Sequence, residues 1–112
     1  MGSREVKSRP AIDLTNIRIK EKSWLAKVAA AKLKADKVAF VLGGTIHLHN
    51  VSEADFLDNE KWVRHELCHI RQFQTHGYFI FILKYLWESL LHGYYNNKYE
   101  AEARLCEIDQ GD

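Results

Sequence analysis

The apolar residues of this chain change their spacing from segment to segment, and each change marks a candidate element. Ile12 and Leu14, then Ile17 and Ile19, alternate, which suits a short strand or an ordered arm. "WLAKVAAAKLKA" (24–35) sets Leu25, Val28, Ala29 and Leu33 at helical spacing behind Ser23, a plausible N-cap, and predicts a helix with one buried face. "KVAFVL" and "TIHLHNV", split by Gly43-Gly44, predict two strands joined by a tight turn. In the second strand Ile46 and Leu48 point one way and Thr45, His47 and His49 the other. "DFLDN" is expected to be a loop, with Asp58 or Asn59 capping a helix that runs from about residue 60 to Gly77. Gly77 and Gly93 bracket an apolar helix, "YFIFILKYLWESLLH", and a last helix, "NKYEAEARLCEI", follows.

Helices and strands are segregated rather than alternating, so the fold class is α+β: a backing helix, a small antiparallel hairpin, then three helices. At 112 residues the chain has room for one core, which we place at 23–112 behind an arm or short strand over 1–22. Its apolar content of 46% beside 28% charge is that of an ordered globular protein. The net charge of +1, with both signs mixed along the chain, gives no reason to expect a nucleic-acid partner. Two cysteines make no secreted disulfide framework, and the polar N-terminus has no apolar signal region. A cytoplasmic location is therefore expected. "YFIFILKYLW" is interrupted by Lys84 and falls short of the ~20 residues a spanning helix needs, so no transmembrane segment is expected.

The chemistry concentrates in "WVRHELCHIRQ", residues 62–72. On a helix His65 and His69 lie about 40° apart, and Glu66 about 60° beyond His69. That is the H-E-x-x-H arrangement, in which two imidazoles grip a zinc ion and the glutamate serves as general base. Val63, Leu67 and Ile70 form an apolar back. Cys68 falls about 80° from the midline of the histidines and reads as a semi-buried bystander. Gln72 borders the histidine face.

A catalytic zinc needs a third protein ligand. His76 would lie ~10 Å from His69 along an unbroken helix, too far to share an ion. "NNKYEAEAR" offers Glu100 and Glu102, about 200° apart on a helix, so only one can face the metal, and the angles do not choose between them.

"HELCH" followed some thirty residues later by "YEAEAR" resembles the gluzincin zinc metallopeptidases, whose third ligand is a glutamate on a separate downstream helix. The order of elements is most similar to the compact single-domain minigluzincins and related small bacterial proteins. The resemblance implies a zincin-like fold with one Zn²⁺ per chain. It selects Glu100 as the ligand, with Glu102 the alternative, because Glu100-Ala101-Glu102-Ala103 fits the start of the E-x-x-A-D pattern. The fifth place is Arg104 here, which leaves the carboxylate that usually orients a ligating histidine unassigned; Glu102 or a backbone carbonyl is the expected substitute.

The implied activity is hydrolysis of peptide bonds in a peptide or protein substrate, with Glu66 taking a proton from zinc-bound water. His47, His49, Tyr94, Tyr95 and His92 are candidate oxyanion or substrate contacts. "TIHLHN" is the expected edge strand beside the motif helix. Two alternatives accompany this expectation: an inactive or latent zinc-binding interaction module, and a metal-free domain whose histidines only pack. The aromatic residues of 78–92 either close the core or dock a second copy or another partner.

Overall fold

The computed structural model describes residues 16–108. The expected alternation at Ile12 and Leu14 lies outside them, whereas that at Ile17 and Ile19 becomes β1 (Arg18–Lys20). Ser23 caps α1 (Trp24–Leu33), its hydroxyl accepting the Ala26 N–H. A two-residue turn joins β2 (Val38–Leu42) to β3 (Thr45–His49). Gly43 takes φ +66° in that turn, and a Cβ there would meet the Tyr78 ring at 3.2 Å, so both backbone and space ask for glycine.

The strand order is β1-β3-β2, with β1 parallel and β2 antiparallel to β3. Two expectations are corrected here. The sheet is mixed rather than a bare antiparallel hairpin, because the chain ahead of α1 supplies a third strand. β3, the strand of "TIHLHN", is therefore central, and the edge next to the helices is β2.

"DFLDN" is also not a loop. It lies in α2 (Glu53–Asp58), capped by the Ser52 hydroxyl, with Glu53 and Asp55 in the first turn where the helix dipole favours them. Six residues are too few to show a helical period, which is why the pattern hid it. α3 (Glu60–His76) starts at Asn59, whose side chain accepts the Trp62 N–H, and ends at Gly77. α4 (Tyr78–Asn96) breaks after His92, where Gly93 takes φ +80°. α5 (Lys98–Cys106) is capped by Asn97.

Alternation on β3 decides the layers. Ile46 and Leu48 turn to α2 and α3, where they bury completely with Phe56, Val63 and Ile70. Each such side chain contributes on the order of 1.5–3 kcal/mol by leaving water. The opposite face carries α1, which packs Ala26 and Ala30 against Val38. The expected contact residues Val28 and Leu33 are about half exposed instead, at 49% and 48%. Small residues on the contact face let α1 approach closely enough for the Ser23 hydroxyl to lie 2.8 Å from His47 Nδ1. A third cluster, Phe73, Phe81 and Tyr99, ties α3, α4 and α5 together. Phe81 is the buried residue of α4 and Tyr85 packs beside it, while Tyr78, Phe79 and Trp87 are exposed, so only part of the aromatic set of that helix closes the core. No helix among the described residues is long and apolar enough to cross a membrane.

Candidate metal centre

α3 carries His65 and His69 one turn apart, and α5 packs across it to bring Glu100 between them. His65 Nε2 lies 3.0 Å from Glu100 Oε1, and His69 Nε2 lies 3.1 Å from Glu100 Oε2. One ligand atom from each of the three falls within 4.8 Å of the others. Glu100 and His69 are buried at 4% and 6% exposure. Glu102, the other carboxylate weighed for this position, points elsewhere: it accepts a hydrogen bond from Gln72 Nε2 at 2.6 Å.

The contacts behind these three groups fix which nitrogen faces inward. Gln72 Nε2 donates to the Tyr99 carbonyl (3.1 Å) and to Glu102, which sets the amide so that its oxygen meets His69 Nδ1 at 2.8 Å. An amide oxygen only accepts, so Nδ1 carries the proton and Nε2 of the neutral ring is left with a bare lone pair. Glu107 Oε2 stands 2.7 Å from His65 Nδ1 and holds that ring in the same way. The Tyr85 hydroxyl donates to Glu100 Oε2 at 2.5 Å. Ligand-orienting partners of this kind recur around protein-bound metals.

The carboxylate beside a histidine is therefore neither at Arg104 nor at Glu102, the expected substitute, which meets Gln72; it is Glu107, at His65. Sequence reasoning did not find it, although Glu100 and Glu107 are seven apart and so share a helix face. Arg104 instead donates to the Tyr95 carbonyl at 2.7 Å and lies over the Tyr95 ring. Tyr85 was legible only as one of the aromatics of 78–92.

The charges reinforce one another. Burial disfavours a charged Glu100, but the adjoining His65 and His69 imidazoles and the Tyr85 hydroxyl outweigh it and hold the carboxyl far below the usual range. Burial likewise disfavours both imidazolium ions, yet the adjoining Glu100 carboxylate, joined by Glu107 at His65, raises both histidines above their ordinary value. Glu66, buried beside them at 4% exposure, is pushed up to about 8, chiefly by desolvation. Tyr85 and Tyr94 are raised by burial and then by the neighbouring Glu100 charge.

A cavity of about 540 Å³ opens onto the cluster. His65, Glu66, His69 and Glu100 stand in its wall with Tyr94, and the rest is largely apolar: β2, Phe81, Tyr85 and Leu86, and Ala29 and Leu33 of α1. Of the candidate contact residues, the structure brings Tyr94 to this cavity and not the others. His47 turns to the opposite face of the sheet, where it stacks on Phe40 and meets Ser23. His49, Tyr95 and His92 are also outside the lining. Cys68 is buried, and its thiol is pushed up to about 12 by desolvation and then by Cys106. Its sulfur faces Arg71 at 3.7 Å and Gln72 Nε2 at 3.9 Å and is not one of the three clustered ligand groups, in keeping with its angle on the helix. His76 packs between Phe81 and Tyr99.

No protein-family model, curated protein or solved structure matches this chain.

The residues present fit a metal ion on two counts. Among the described residues, His69 Nε2 is the buried side-chain polar atom with no hydrogen-bond partner, although it sits 3.1 Å from a carboxylate oxygen. A buried polar atom left this way is costly unless something binds it. The donor set also suits: two imidazole nitrogens and a carboxylate, with one ligand atom from each within 4.8 Å of the others, are the groups that bind zinc.

Proposed function

We propose that the chain is a zinc-dependent peptidase with a zincin-like fold of the gluzincin kind, in which His65, His69 and Glu100 hold the ion and Glu66 is the general base. The observation that carries this reading is the bare Nε2 of His69, aimed at Glu100 in the wall of a cavity that also contains Glu66. Two imidazoles and one carboxylate leave one tetrahedral position free, the pattern of a catalytic rather than a structural zinc. Zinc held there would supply Lewis acidity, polarising a carbonyl and acidifying water.

The chain's own residues divide the remaining work. Gln72 and Glu107 hold the two imidazoles with Nε2 inward, and Tyr85 steadies Glu100. Glu66 is buried beside His65 and His69, and in the metal-free chain desolvation raises its carboxyl to about 8; the positive charge of a bound ion would favour the carboxylate that a general base requires. Tyr94, at the cavity wall, is the candidate donor to the developing oxyanion. Among the described residues β2 is an edge strand; it runs along the cavity and could offer its outer backbone groups to an extended peptide.

A second reading, a latent zinc-binding module that works by binding partners, draws support from the broad apolar face that α4 leaves exposed. Cleavage of a broad peptide library by the zinc-loaded chain separates the two. The peptidase reading expects cleavage that Glu66→Gln abolishes while zinc is retained. Cleavage that survives in the variant, or none by the wild type, contradicts it.

A further inference from the structure

α4 is the least buried helix of the fold, and its exposed side is organised. Phe79, Leu83, Leu86 and Leu90 follow one another at intervals of four, three and four residues. They fall within about 60° of arc, a heptad-type seam. Trp87 and Leu91 widen it on one flank. All six are between 54% and 76% exposed. No charged residue lies on this arc: Lys84 and Glu88 project beyond it, Lys84 Nζ lying 3.3 Å from His76 and Glu88 accepting the Lys98 N–H.

We propose that this face is the interface of a homodimer, in which α4 packs against α4 of a second copy about a two-fold axis near the middle of the seam. Three observations select a second copy. The seam has the spacing with which one helix receives the side chains of another, a demand that a lipid surface does not make. The six side chains expose roughly 850 Å², about what one partner contributes to a standard stable interface. Finally, the polar side of α4 carries one cation and one anion, Lys84 and Glu88, so it lacks the basic face that draws an amphipathic helix to an anionic membrane. A helix with no charge in its seam is self-complementary, which an isologous contact requires. Leu86 belongs both to the seam and to the cavity lining, so the second copy stands at the rim of the candidate site.

Sedimentation equilibrium on the full chain across a micromolar concentration range tests this without reference to catalysis. The wild type should sediment at twice its chain mass of 13.1 kDa. Leu83→Glu with Leu90→Glu should sediment as a single chain with unchanged far-ultraviolet circular dichroism. Should that double variant lose its fold, Phe79→Lys, at a position 76% exposed, should raise the dimer dissociation constant at least tenfold. A wild type that stays monomeric throughout overturns the proposal, as does a folded double variant that still dimerises. So does a monomeric wild type that floats with phosphatidylcholine vesicles.

Discussion

The Gln72 side-chain oxygen meets His69 Nδ1 at 2.8 Å and so decides which nitrogen of that ring is free. The amide is itself held by Tyr99 and Glu102, so a helix-to-helix network, not the motif alone, turns His69 toward Glu100. Gln72→Met keeps the volume and removes the acceptor. Zinc affinity, measured by competition with a chromophoric chelator, should fall about 10–100-fold, the usual effect of losing a ligand-orienting partner. An unchanged affinity would mean that the His69 tautomer is set elsewhere.

Glu107 performs the corresponding task for His65, across 2.7 Å. Glu107→Ala should weaken zinc binding by a factor of about ten or more. Glu107→Gln retains an oxygen that accepts from Nδ1 and should recover most of the loss. Equal losses in the two variants would assign Glu107 a general packing role.

How much of this was legible beforehand varies with the distance over which each feature is determined. The boundaries of α3 and α4 could be read locally, because Asn59, Gly77 and Gly93 punctuate a clear apolar pattern. The facing of His65, Glu66 and His69 followed from helical geometry alone. What escaped was set by tertiary contact. β1 exists because β3 offers it an edge, so neither strand's place in the sheet shows in its own residues. α1 buries alanines because a small helix face fits the sheet there, which overrode the larger apolar residues at equally good spacing. Between Glu100 and Glu102 the helix angles left the choice open and only the family resemblance pointed to Glu100, because the facing depends on how α5 crosses α3.

Stability should depend on pH with opposite sign in the metal-free and zinc-loaded protein. In the metal-free fold His65 and His69 are raised above 6.5, and Glu66 is raised to about 8 from 4.5. Groups whose folded pKa is raised stabilise fully below the unfolded value and lose that contribution as pH climbs through the folded one. The metal-free melting temperature should therefore fall as pH rises from about 6.5 past 8. Zinc must displace protons from the imidazoles, so its binding, and the stability it adds, strengthens over the same range. Parallel melting curves for the two forms would contradict the site.

Glu66→Gln separates the base from the ligands. Peptide cleavage should drop by roughly 10²–10⁴-fold, the span general-base catalysis supplies, with zinc stoichiometry unchanged. The variant should also raise the melting temperature of the metal-free protein above pH 8, because it removes a carboxylate that burial disfavours in its charged form. A variant that loses its zinc instead would make Glu66 a ligand.

The most direct test is the metal content of the purified chain, measured by inductively coupled plasma mass spectrometry in the wild type, Glu100→Ala and Glu102→Ala. The account predicts one zinc per wild-type chain, loss of stoichiometric zinc in Glu100→Ala, and retention in Glu102→Ala, whose carboxylate reaches His69 only through Gln72. A wild type without stoichiometric metal, or a Glu100→Ala variant that keeps it, would contradict the account.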